Sequence, residues 1–377
     1  ESMIFVQADC CDDLDELKII LENRLRLAQA TVGSFGAMTQ RVKETAEKLM
    51  RSALSQPEDA DRFKEAASFL RWLLADNFVL MGTIQGKERL GIASKDVASL
   101  NDMASLDKWG SCDRVVEIRK APSESQVHRA GRKDEIRIQI PGDDELKIQG
   151  LFTYRGVTQP SRHVPILRQD LAHILSGQDC KPSSYRYKGI SNVFDSLPTE
   201  FLFTTTPDQI AEMIDRVLEA EQEQRPRTHI LQNETDGSAF VLAAMPRERW
   251  SDQIRQDIED HLVEATGASY CDHGVFVGRY ETMLVHFYLT GCCVLSEDTT
   301  TDLSEEVTDL ATSWSDRVHG VLIQECGLEK AEELILLYGS AFEPTYMRMT
   351  APAQVARDIQ MLEAVTESNH VVADVYQ

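Results

Sequence analysis

Two arginines, Arg247 and Arg249, stand just before Ser251 and Asp252, where a stretch with helical spacing begins. Ser is a favoured N-cap residue, and an aspartate suits a first helical turn. Unsatisfied N–H groups at a helix start, joined by two guanidinium groups, make a cradle for a carboxylate. That chemistry suits a small amino-acid effector, with Arg247, Arg249, Ser251 and Asp252 as its contacts. The plainer reading is surface arginines paired with Glu248, Asp252 or a neighbouring domain. A second cluster, Arg162, His163 and Arg168, surrounds a predicted helix start between Pro160 and Pro165 and reads as an interdomain or subunit contact. A third is the strand-like run through Phe287, Tyr288 and Leu289, apolar on both faces. Left bare, such a strand aggregates. Phe287 and Leu289 are therefore expected under cover, from helices within Leu303–Val365 or from a second subunit of a homo-oligomer.

Other chemistry is poorly supported. No G-x-G-x-x-G follows a strand, so there is no pyrophosphate cradle and no cofactor is expected on this chain. Gly82 to Lys87 superficially resembles a phosphate loop, but Glu88 stands where Ser or Thr is needed. No Ser/His/Asp or Cys/His set carries a nucleophile signature, so no catalytic residue is assigned. Cys271, His273, Cys292 and Cys293 could be assembled into a zinc reading, yet they lack C-x-x-C spacing, and no metal is expected. The eight cysteines are irregularly spaced, with adjacent pairs Cys10-Cys11 and Cys292-Cys293, and read as thiols in strands. His163, His173, His229 and His286 read as packed or exposed singles, and Trp72, Trp250 and Trp314 as core anchors.

The 377 residues leave room for two or three domains. With 62 Asp+Glu against 39 Lys+Arg, the net charge of −23 argues against nucleic-acid and anionic-membrane surfaces. No apolar run approaches the ~20 residues a spanning helix needs, and no signal peptide is visible, so the expected location is cytoplasmic.

The elements that position these residues make a multidomain α+β chain. Arg227–Asn233 and Ser238–Met245 flank a hairpin turn at Thr235-Asp236-Gly237. Ile254, Ile258, Leu262 and Ala265 form one helical stripe that Gly267 ends, and strands Ser269–Gly278 and Thr282–Thr290 follow. Small ACT-like modules have this ββαββ pattern, as do other ferredoxin-like units. Upstream, Met3–Gln7 reads as a strand, Asp12–Ala30 as a helix, Gly33–Gly36 as a loop and Ala37–Leu54 as a linking helix. A helix over Asp61–Ala75, about five strands and a helix at Pro165–Leu175 make a second α+β domain without βα alternation. In it Ile136, Ile138 and Ile140 alternate with Glu135, Arg137 and Gln139. Leu295–Asp302 reads as a polar separator before helices Leu303–Cys326, Leu328–Tyr338 and Pro352–Val365. The expected division is a remnant of an ACT-like domain (1–36), a helical linker (37–60), a PAS-like α+β domain (61–177), a helical connector (178–226), an ACT-like domain (227–291) and a helical region (303–377).

Four stretches carry a resemblance. They are Phe69 to Phe78 with Leu80-Met81-Gly82; Gly150-Leu151-Phe152-Thr153 with Pro165-Ile166-Leu167-Arg168; Val241 to Trp250; and Ser313 to Asp316 with Tyr338 to Phe342 and Asp358 to Glu363. In order and spacing the chain resembles the large bacterial NAD-specific glutamate dehydrogenases, in the region N-terminal to their catalytic domain. It departs from their pattern in a short Gly82–Leu90 loop and at Gly189-Ile190-Ser191. The resemblance implies a parent enzyme that oxidatively deaminates L-glutamate to 2-oxoglutarate and ammonium with NAD. It implies that this chain is a non-catalytic regulatory and oligomerisation region, with the catalytic domain of the same polypeptide as its partner. The alternative is a free-standing amino-acid-sensing or scaffold protein built from ACT-like modules.

Overall fold

A computed structural model of the protein describes residues 14–100, 109, 114–142, 145–178, 180–182, 184–233, 237–278 and 281–368. The strand expected at Met3–Gln7 and the turn at 234–236 lie outside them. The chain divides into two compact units, Glu1–Ala211 and Glu212–Gln377.

The first unit begins with one helix, α1 (Leu14–Ser55), where a helix, a loop and a linker were expected. Gly33 and Gly36 do not break it, although each costs about 1 kcal/mol relative to alanine. Packing supplies the difference. Met38, Val42, Ala46, Leu49 and Ala53 form a buried stripe against α2 (Ala60–Trp72) and strands β1 (Phe78–Gln85) and β2 (Glu88–Gly91). The supposed linker is therefore part of the core.

Three further strands, β3 (Val116–Glu124), β4 (Arg132–Ile138) and β5 (Leu146–Phe152), complete an antiparallel sheet of order β2-β1-β5-β4-β3. At the β1–β2 hairpin Gly91 has φ +66°, and a Cβ there would strike the Met81 carbonyl and the Met38 sulfur. An aromatic cluster of Phe69, Trp72, Phe78, Phe152 and Phe203 covers one face, with Phe152 stacked on Phe203 at 5.0 Å between centroids. The alternation on β4 does not mark a wet face, because Glu135 and Arg137 are buried as deeply as the isoleucines. Cross-strand partners make this tolerable: Arg119 Nε donates to Glu135 at 2.9 Å, Gln149 Nε2 donates to Glu135 at 3.2 Å, and Arg137 pairs with Glu117. The Trp109 ring lies over the Arg119 guanidinium at 3.8 Å. Short helices follow: α3 (Tyr154–Val157), α4 (Leu167–Gly177), α5 (Tyr185–Ser196), α6 (Thr199–Thr204) and the start of α7 (Pro207–Glu223).

In the second unit β6 (Arg227–Asn233), β7 (Ser238–Pro246), β8 (Tyr270–Val277) and β9 (Thr282–Thr290) form an antiparallel sheet ordered β6-β7-β9-β8. Strand β9 thus lies between β7 and β8, which α8 (Asp252–Thr266) connects, making a split β-α-β unit. Ser251 Oγ accepts the Ile254 N–H at 3.2 Å, and Gly267 ends α8 in the left-handed conformation. Every residue of β7 is buried, as its two apolar faces require. On one face Val241, Ala243, Met245, Val285, Phe287 and Leu289 pack under Ile258 and Leu262 of α8 and Leu303, Val307 and Ala311 of α9 (Glu297–Ala311). On the other, Phe240, Leu242, Ala244 and Leu284 are buried.

The expected polar separator is the first part of α9, capped by Ser296, and the helix expected at Leu303–Cys326 is broken at Thr312-Ser313. α9 belongs to the sheet. The remaining helices, α10 (Trp314–Cys326), α11 (Leu328–Tyr338), α12 (Pro344–Met349) and α13 (Pro352–Ser368), are organised by a core of Val318, Leu322, Ala331, Leu334, Val355 and Ile359. No described helix is long and apolar enough to cross a membrane.

Candidate functional site

The short 3-10 turn Arg247–Arg249 delivers its arginines beside the capped start of α8. The chain's own carboxylates already occupy that neighbourhood. Arg249 Nη2 pairs with Asp316 at 2.7 Å, and Arg247 Nη1 lies 3.6 Å from Glu281 across an exposed gap. Asp252 accepts from Arg255 Nε at 2.8 Å, and that hydrogen bond holds its carboxyl below the usual carboxylate range. Ser251 spends its hydroxyl oxygen on the cap. The four residues do come together, as self-satisfied pairs along the surface.

The other expected contacts separate. Arg162 and His163 are exposed neighbours, with Arg162 Nε donating to His163 Nε2 at 3.3 Å. Arg168 turns to α2, where Nε and Nη2 each meet a Glu65 oxygen at 2.7 Å. Phe287 and Leu289, expected under cover from helices within Leu303–Val365 or from a second subunit, are fully buried core residues beneath α8 and α9 of their own chain. The cover comes from α9, one of the two sources considered. His286 is packed, with its ring stacked between Phe240 at 5.5 Å and Phe276 at 5.3 Å, and burial pushes its pKa down to about 4. Burial also pushes the Cys271 thiol up to about 12, which makes a poor thiolate ligand. Among the described residues no group of three or more His, Cys, Asp or Glu is placed to hold a metal ion.

A different place in the first unit gathers more chemistry. Helix α2, the start of β3 and helix α4 enclose an open cavity of about 430 Å³. Its lining carries Arg62, Glu65, Arg114, Asp170 and His173 beside the apolar Ala66, Val116, Ile118, Ile166 and Phe203. Asp170 is half-buried, and burial pushes its carboxyl up to about 6 although Arg114 and His173 pull it down. Ile166, just before α4, has φ +75° and ψ −59°, a strained conformation for a β-branched residue. Its N–H donates to Glu65 Oε1 at 2.8 Å, on the carboxylate that also clamps Arg168. Sequence reasoning missed this cavity because Arg62, Arg114 and Asp170 lie far apart in the chain. The run Pro165-Ile166-Leu167 was its one local mark.

The fold is α+β, with two antiparallel sheets and helical segments around and after them. Two of those segments match known patterns: residues 164–223 match "Glutamate dehydrogenase, helical motif 1", and residues 321–365 match "Glutamate dehydrogenase, helical motif 2". The whole chain is 23% identical to the NAD-specific glutamate dehydrogenase of Pseudomonas aeruginosa and 24% identical to that of Halomonas elongata, covering 25% of each. With the Mycobacterium tuberculosis NAD-specific glutamate dehydrogenase, 94% of the chain aligns at 21% identity, covering 23% of that protein. The chain thus spans about a quarter of the length of the curated relatives it matches. Along its full length it is similar to the N-terminal region of the large NAD-specific glutamate dehydrogenases.

Proposed function

We propose that this chain is the regulatory and oligomerisation region of an NAD-specific glutamate dehydrogenase, itself non-catalytic, with the catalytic part of the same polypeptide as its partner. The parent would be a cytoplasmic homo-oligomer converting L-glutamate to 2-oxoglutarate and ammonium with NAD. The observation that carries this reading is similarity along the entire chain to dehydrogenases about four times its length. The architecture supports it. The split β-α-β sheet of the second unit fits an ACT-like module, and the helix-flanked five-stranded sheet of the first fits a PAS-like one. NAD does not fit either sheet. A dinucleotide needs a strand, a glycine turn and a helix in a parallel unit, whereas both described sheets are antiparallel and the glycine-bearing loop after β1 is a hairpin.

Calorimetry of the 377-residue chain with NAD, beside a turnover assay with glutamate, tests the non-catalytic half of the reading. No heat and no NADH are expected, and millimolar or tighter binding would overturn it. For regulation, Arg247→Ala and Arg249→Ala are made in the full-length enzyme. Loss of amino-acid sensitivity with turnover retained supports an effector at the Arg247–Asp252 seam. An unchanged response, with only assembly or stability altered, leaves those arginines as surface pairs.

A further inference from the structure

We propose that the cavity between α2, β3 and α4 binds a free α-amino acid with an apolar side chain, its ammonium facing Asp170, its carboxylate facing Arg114 and His173, and its side chain against Val116, Ile118 and Phe203.

Size is the first argument. A cavity of about 430 Å³ lies within the roughly 300–1,000 Å³ typical of small-molecule sites. The division of its lining is the second. Arg114 and His173 lie close enough to Asp170 to act on its carboxyl, and hydrocarbon from Ala66, Val116, Ile118, Ile166 and Phe203 lines the same cavity. A phosphate or simple carboxylate would use the cations and be repelled by Asp170. An alkylamine would use Asp170 and be repelled by Arg114. A zwitterion satisfies both, and an apolar side chain suits the rest of the wall, where an acidic one would strand its charge.

The third argument is cost. Asp170 remains in this place at an energetic penalty from burial, which a ligand ammonium would relieve. Glu65 also lines the cavity and adds to that penalty, but its oxygens are engaged by Arg168 and by the Ile166 N–H. The strained Ile166 is fixed by the same carboxylate, at the entry to the helix that presents Gln169, Asp170 and His173 to the cavity.

The experiment is calorimetric titration of the intact chain near neutral pH with L-leucine and L-phenylalanine. Three comparators complete it: 4-methylpentanoate, which lacks the ammonium, 3-methylbutylamine, which lacks the carboxylate, and L-glutamate. L-Leucine or L-phenylalanine is expected to bind saturably in the millimolar range or tighter, and each comparator at least about ten-fold more weakly. Asp170→Asn is expected to weaken the amino acid by at least about ten-fold while the protein stays folded. Arg114→Gln, a second variant, is expected to do the same and separates loss of the site from loss of one carboxylate. Absence of saturable binding by both amino acids, comparators binding as well as they do, or affinity unchanged in both variants would each overturn the proposal. No readout involves NAD or turnover, so its failure is distinct from failure of the dehydrogenase reading.

Discussion

Asp170→Asn should make the protein more stable, and by an amount that depends on pH. Burial raises the folded carboxyl from 3.8 to about 6. The folded state therefore holds that proton more tightly than the unfolded chain, and stability falls as pH rises from about 4 to about 6. A rise of that size corresponds to about 3 kcal/mol at most. Because the side chain borders an open cavity, solvent screening reduces the expected value to about 1–2 kcal/mol. Asparagine keeps the shape and cannot ionise, so the gain should be full above about pH 7 and vanish near pH 4. Urea unfolding at both pH values, followed by amide hydrogen exchange in β4 and β5, resolves the first unit from the second. Asp134, also pushed up to about 6 by burial, stays as a common background in both proteins. A variant less stable than the parent near pH 7.5, or a gain of equal size at the two pH values, would refute the reasoning.

Two further outcomes follow from the second unit. Phe287→Ala empties a fully buried site between sheet and helices, so unfolding should cost about 3–5 kcal/mol less with the oligomeric state unchanged; dissociation without lost stability would return Phe287 to a subunit seam. The folded His286 ring titrates near 4 against 6.5 when free, so stability present above about pH 6.5 is lost as pH falls toward 4; in His286→Phe that loss should shrink by about 1–3 kcal/mol, and thermal unfolding at pH 4.5 and 7.5 that shows identical acid sensitivity would refute it.

The second sheet was legible in the sequence because its signals are local. Period-two runs flank a period-four stripe, and the start and stop residues Ser251 and Gly267 sit where the helix needs them. What was not legible depended on partners distant in the chain. Gly33 and Gly36 read as a loop because nothing nearby shows that Met38, Val42 and Leu49 have a sheet and a helix to pack on. Glu297 to Asp302 read as a separator because the apolar positions of α9, Leu303, Val307 and Ala311, lie on one side and begin late. The burial of Glu135 and Arg137 on β4 has no local mark in the sequence because Glu117 and Arg119, which satisfy them, arrive by strand pairing. At the candidate sites, residue types identified Arg247 and Arg249 but not that Asp316 and Glu281 would reach them first.

The unbroken α1 has a mechanical consequence. Forty-two residues at 1.5 Å each make a rod of about 63 Å, densely buried from Met38 to Ala53 and, before that, anchored mainly through Leu27 and Thr31. The half before the two glycines carries Ile19, Ile20, Leu25 and Val32 outward, and Phe35 is exposed between the glycines. A torque or pull applied to that half would pass along the rod into β1 and β2, which it grips through Met38 and through the Arg41 pair with Glu88. Gly33 and Gly36, with no neighbouring side chain to brace them, are where such a lever would yield first.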